Sequence, residues 1–338
     1  MKTTKPLIVF LVVVLVLLFL SLLVVGRFKV TASDIGSMIH ALFSGRVVAE
    51  ELVAKQLVFW WIRLPRCIMA ILVGMGLSVS GAVYQALFRN PLVSPDILGV
   101  AAGCTFGAAL GLILPGNSFS LIYILSLVFG LLAVAMTVTI ARLISVKPVI
   151  VLVLAGMVIL SFFNALLMVL KYFSDPYDEL PSIVFWIMGS LSRVTWNDVL
   201  IIGPVVGVGL IFAILMRFRL NILSLGDVQS KSLGLNPVAF RLILIVASSF
   251  IVALTVATCG QICWIGLIIP HMARTLVGPD HKRMLPVTAL LGAIFLLAAD
   301  GAARSVTAAE IPVGIITALS GAPVFAYLLY KNRGSGWV

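Results

Sequence analysis

Charge is scarce in this chain. Only 10% of its 338 residues are Asp, Glu, Lys or Arg, against about a quarter in a soluble domain. Acids are the rarer sign, 12 against 23 Lys and Arg, and the long apolar stretches hold almost none. A proton- or sodium-driven carrier would place a carboxylate near the membrane midplane, and no good candidate is expected there. Histidines number three and cysteines four. Cys259 and Cys263 could share a helix face, but a metal site needs more ligands and a polar second shell, so all four cysteines read as buried packing residues. The chain has no G-x-x-x-x-G-K-[ST] phosphate loop, no H-E-x-x-H and no G-x-S-x-G. It therefore cannot bind ATP in the P-loop manner, and it offers no catalytic residue, no metal ligand set and no cofactor site.

What is present is apolar length. The chain is 62% hydrophobic with a mean hydropathy of +1.22. About 20 apolar residues cross a bilayer as a helix, and the pattern predicts an all-α polytopic membrane protein of about ten transmembrane helices. The expected spans are 7–25, 64–87, 97–114, 121–143, 149–170, 199–216, 242–258, 262–273, 287–299 and 312–330. Little is left for a soluble domain, so residues 1–338 read as one transmembrane unit. An even number of spans puts both termini on one side. With that side cytoplasmic, the inner loops and tails hold 14 of the 23 cations and three of the 12 acids, Asp96, Asp227 and Asp280. This is the bias the positive-inside rule requires, and it explains the net charge of +11 without nucleic acid.

Two features stand out within that frame. Gly99, Gly103, Gly107 and Gly111 recur every four residues along the third span, a spacing that lets helix backbones approach closely in lipid. Arg217–Arg241 is the longest polar interruption of the second half, and Gly226, Gly234 and Pro237 punctuate it. It reads as two short helices joined by a turn, on the cytoplasmic side. A large translocator with neither a nucleotide site nor an ion-coupling carboxylate must draw energy from a partner, which gives this segment a reason to exist.

Several long motifs occur in order: Arg63-Leu-Pro-Arg66, GLSVSGAVYQALFRNPLVSPDILGVAAG from Gly76, FWIMGSL from Phe185, LGDVQSKSLG from Leu225, GQICWIGLIIPHMAR from Gly260, and EIPVGIITALSGAPVFAYLL from Glu310. From about residue 60 onward the chain resembles the permease subunits of prokaryotic iron-chelate, haem and vitamin B12 importers, a branch of the type II ATP-binding-cassette importers. The resemblance implies a homodimer in the prokaryotic inner or plasma membrane, two cytoplasmic ATPase subunits and an external substrate-binding protein. It maps the ATPase-coupling surface onto Leu225, Gly226, Asp227, Ser230, Lys231, Ser232, Leu233 and Gly234. Lys231 stands where the family usually has Arg, a point charge in place of a bidentate fork. The resemblance also assigns binding-protein docking to Arg63, Arg66 and Arg304, and the inner gate to the turn Ser145, Val146, Lys147 and Pro148. Iron–siderophore is the first expected cargo, with haem, cobalamin and molybdate or tungstate as runners-up. An ion-coupled secondary transporter or channel is the alternative.

Overall fold

The computed structural model describes residues 4–26, 28–44, 50–115, 119–144, 148–307 and 309–331. Regular structure in them is helical throughout: α1 (Lys5–Val24), α2 (Ala32–Ser44), α3 (Glu50–Leu57), α4 (Leu64–Phe88), α5 (Val100–Ile113), α6 (Phe119–Ile144), α7 (Pro148–Phe173), α8 (Glu179–Ile187), α9 (Trp196–Ser224), α10 (Asp227–Ser232), α11 (Pro237–Cys259), α12 (Ile265–Val277), α13 (His281–Ala303) and α14 (Val313–Lys331). A π-turn over Val58–Arg63 joins α3 to α4, and a 3₁₀ turn over Pro95–Leu98 precedes α5. Among the described residues, seven helices are long and apolar enough to cross a membrane; α5, α12 and α14 are shorter apolar helices. All ten runs read from the sequence are helices with shifted ends.

The axis is α4. Its most apolar stretch is 78% buried, against 17–33% for α1, α6, α7 and α9, so those four form the outer layer. α4 packs against α9, α11, α12 and α13. It can do so because its contacts are small: a Cβ at Gly74 would overlap the Gly292 carbonyl, and one at Gly81 would overlap Gly266. Lipid supplies no hydrophobic drive between helices, so close backbone packing and interhelical hydrogen bonds do the joining. Ser78 donates to the Thr288 carbonyl, Gln85 donates to the Leu267 carbonyl at 3.1 Å, and the Tyr84 hydroxyl pairs with Ser249.

The glycine stripe mates α5 with α6. A Cβ at Gly103, Gly107 or Gly111 would strike Phe129, Leu125 or Ile122. Gly99 is not part of this seam. It caps α5 in the left-handed region (φ +80°) and faces Ile159 of α7.

Helix length separates two classes. At 1.5 Å per residue, α9 is about 43 Å long and overshoots a hydrocarbon core of ~30 Å. By the same rise α5 and α12 are only about 20 Å long and cannot cross alone. The structure resolves this at half depth. The first turn of α12, at Gly266, lies against Pro95 and the Leu77 carbonyl, half-way along α4. The chain thus climbs from the end of α4 to Pro95 before α5 begins, and descends from the end of α11 to Ile265 before α12 begins. Irregular backbone at that depth is tolerated only where protein buries it or it lines a cavity.

This arrangement corrects the placement of Asp96. It is not in a surface loop. It lines a small cavity of about 20 Å³ with Leu77, Val252, Gln261 and Trp264. One carboxylate therefore lies at mid-depth, where the sequence suggested none. Trp264 turns the chain there with φ +73°, a left-handed conformation costing about 1–3 kcal/mol for a bulky residue. Its ring tilts against Phe325 of α14 at 6.2 Å.

The α5–α6 seam makes a two-sided prediction. Gly107→Ala has no room and should cost about 1–3 kcal/mol through overpacking. Gly207→Ala in α9 meets nothing within 4 Å and should be neutral or gain up to about 1 kcal/mol from reduced chain entropy. Melting temperatures of the two purified variants, lowered for Gly107→Ala and unchanged or raised for Gly207→Ala, check it.

Candidate functional site

The polar segment Arg217–Arg241 does not form two short helices. Its first eight residues are the overhanging end of α9, its centre is the six-residue α10, and its last five open α11. Gly226 (φ +117°) and Gly234 (φ +77°) make the two turns that reverse the chain into and out of α10, in a backbone region that L side chains rarely adopt. The Asn236 side chain accepts from the Val238 and Ala239 amides and caps α11, and Pro237 suits the first helical turn.

The connection is rigid from within. Asp227 pairs with Arg241 at 2.7 Å, with a longer second contact at 3.5 Å. The Ser230 hydroxyl, fully buried, donates to the Gly226 and Ile222 carbonyls at 2.6 and 3.0 Å. A second tie runs to the α12–α13 connection. The Asn221 amide donates to Asp280 at 2.8 Å, and its oxygen accepts from the His281 amide at 3.0 Å. For Asp280, partial burial works against ionisation. The hydrogen bonds from Asn221 and the Lys282 amide, with the Arg283 and His281 charges, outweigh it and hold the carboxyl below its ordinary value. That link is complete above the ordinary carboxylate range and is lost only as pH falls through the lowered value.

The residues predicted for coupling divide into two sets. Leu225, Lys231, Ser232, Leu233 and Gly234 are exposed and face outward. Gly226 and Ser230 are buried and Asp227 is half-buried, so these three hold the platform rather than form its surface. The sequence reading missed Val228 and Val238, which are 77% and 56% exposed. With Leu225 and Leu233 they put four exposed apolar side chains on the segment that carries Lys231. Their signal was available: an apolar residue at each exposed turn of a polar loop. Arg219 lies over the Phe240 ring at 5.2 Å, fastening α9 to α11.

At the opposite end of the bundle the structure corrects a second reading. Arg63, Arg66 and Arg304 are not outer-face cations free to meet a partner. They are 4, 5 and 5% exposed. Arg66 donates to Asp300 at 2.9 Å and to Glu310 at 2.8 Å. Arg304 sits 3.7 Å from the second oxygen of Asp300 and donates to the Leu22 carbonyl at 2.7 Å. Arg63 donates to the carbonyls of Leu23, Val24 and Phe28. The last carbonyls of a helix have no intrahelical partner, and cations are favoured beside them. Two arginines thus clasp the end of α1. Of the predicted gate, residues 145–147 lie outside the described residues, and Pro148 opens α7.

Arg66→Ala would leave the fully buried Asp300 facing only the more distant Arg304. The expected cost is about 3–5 kcal/mol, the range for breaking one side of a buried pair, and Arg66→Ala with Asp300→Ala should recover part of it. Thermal melts of the single and double variants decide the matter; a single variant that melts like the parent would refute a structural role.

Residues 13–331 match the model of the FecCD transport family. The molybdate import system permease MolB of Haemophilus influenzae is 39% identical over 313 residues, covering 92% of this chain and 91% of MolB. The iron(3+)-hydroxamate import system permease FhuG of Bacillus subtilis is 36% identical over 339 residues, covering 98% of each. Among solved structures, one described as an inward-facing conformation of a metal-chelate type ABC transporter superposes with a TM-score of 0.86 at 37% identity, covering 97% of this chain and 99% of that one. On a family match that spans nearly the whole chain and on relatives that align end to end with it, the chain belongs to the FecCD transport family.

Proposed function

We propose that this chain is the membrane-spanning subunit of an ATP-binding-cassette importer that moves a metal chelate into the cytoplasm. Iron–siderophore is the first cargo, and haem, cobalamin and molybdate or tungstate are the runners-up. The working assembly is a homodimer with two ATPase subunits inside and a binding protein outside. With ten spans and both termini cytoplasmic, the segment Arg217–Arg241 lies on the inner face, where the positive-inside bias puts its cations. The observation that carries the reading is the α10 platform: an apolar and cationic surface, held rigid by Asp227–Arg241 and Ser230, in a chain with no nucleotide site.

The chain's own residues define the work. Leu225, Val228, Leu233 and Lys231 meet the ATPase. The stiff overhang of α9, tied through Asn221 to the start of α13, passes its movement into the bundle. Cargo crosses at the dimer interface, with the inner gate at residues 145–148. For the external binding protein, the buried arginine cluster serves as the rigid base of the docking face rather than as its contact surface. No bond is made or broken by this subunit.

The mid-depth Asp96 favours one rival, an ion-coupled carrier that acts alone. Uptake into proteoliposomes separates the two: transport should require the ATPase subunits and ATP, and uptake driven by an ion gradient without them would overturn the importer reading. Lys231→Glu should lower ATPase co-purification severalfold with the bundle intact, measured by pull-down beside a melting curve. A cysteine replacing Lys231 should react with a membrane-impermeant maleimide from the cytoplasmic side alone. One replacing the buried Ser230 should stay unreactive in the folded protein, and labelling of Lys231→Cys from outside would reverse the topology.

A further inference from the structure

Beside the α10 platform a groove of about 310 Å³ opens between α6, α7 and α11. Its walls are apolar: Val138 and Ala141 of α6, Leu152 of α7, and Leu242 and Ile245 of α11. Two arginines, the exposed Arg142 and the buried Arg241, complete its lining. Arg142 lies two residues before the end of α6 and is exposed; Arg241 lies in the second turn of α11 and is 4% exposed. Both therefore sit at the same end of the bundle, level with the platform.

Arg241 is incompletely satisfied. Its two terminal nitrogens face Asp227, but its buried Nε has no partner among the described residues. A guanidinium has five donors and no acceptor, so the missing partner is an acceptor, and Arg142 adds a second positive charge to the lining. The same opening continues into a cleft of aliphatic side chains. A small free anion would use the arginines and leave the cleft empty. An apolar ligand would fill the cleft and leave Arg241 unsatisfied. A phosphodiester joined to acyl chains uses both, and with the α10 end taken as cytoplasmic the groove lies at the helix ends, at headgroup level. Basic pockets between transmembrane helices on the cytoplasmic side have this character.

We propose that the groove binds one anionic phospholipid, its phosphate on Arg142 and the Nε of Arg241 and an acyl chain against Leu152, Leu242 and Ile245. This rests on the reading above that the α10 end is cytoplasmic. The consequence is local: the lipid completes the hydrogen bonding of the residue that anchors Asp227, so it stiffens the coupling platform from the bilayer side.

The test uses the full-length chain, delipidated in detergent, with native mass spectrometry of added palmitoyl-oleoyl phosphatidylglycerol. Phosphatidylcholine with the same chains is the charge control, and inorganic phosphate the headgroup control. Phosphatidylglycerol should bind in preference to phosphatidylcholine. Arg142→Gln should weaken it by about fivefold, the equivalent of ~1 kcal/mol per basic residue near an anionic surface. Leu152→Trp, which fills the groove without altering charge, should weaken it comparably. Unchanged binding in both variants would overturn the proposal. So would displacement of the lipid by millimolar inorganic phosphate, which would make this a free-anion site. Loss of the dimer in Leu152→Trp with lipid binding unchanged would assign the groove to a second copy of the chain and likewise overturn it. The readout needs no ATPase, so its failure leaves the importer reading standing, and failure of ATPase assembly leaves the lipid result readable.

Discussion

In hydrocarbon a backbone N–H or C=O without a partner costs several kcal/mol, and the shape of this protein follows from where that demand is met. The long helices meet it along their own length. The end of α1 meets it with the guanidiniums of Arg63 and Arg304. The two half-depth breaks, before α5 and before α12, meet it by burying the irregular backbone against α4, whose glycines at 74 and 81 admit neighbours to backbone distance. α4, which has no exposed residue, is therefore a helix from which no side can be changed cheaply.

This demand also divides the polar residues by role. Those inside the bundle, such as Ser78, Tyr84 and Gln85, are spent on holding helices together. Apart from the mid-depth Asp96, two charged groupings stand out, one at each end: a closed cluster around Asp300 and an open platform around Lys231. The first is buried and ion-paired within itself, which suits a fixed support. The second is braced from beneath and bare on top, which suits a surface that meets another molecule.

Much of this was legible in the sequence, for a physical reason. Apolar runs of bilayer length report on the solvent directly, so the ten helices and the interruption at Arg217–Arg241 could be read without any tertiary information. What could not be read depends on distant partners. Arg66 meets Asp300 and Glu310, which lie 234 and 244 positions away, so the arginines looked like free surface cations. Asp96 was assigned to a loop because a charge count sees only inside and outside, not half depth. Ser230 and Lys231 are neighbours in the chain, but only the fold decides that one braces the platform and the other faces out. Gly99 kept the four-residue spacing of the stripe, yet it belongs to a turn.

The clasp on α1 has a consequence for how the chain is built. The carbonyls at the end of that helix wait 40 positions for Arg63 and 282 for Arg304. A protein threaded into the membrane from its N-terminus completes this joint only when α13 has entered. Until then the first helix is held in the bilayer by hydrophobicity and by Arg63, without the second guanidinium. The arginines convert an inserted segment into a located one, so the last long helices to arrive decide where the first one comes to rest.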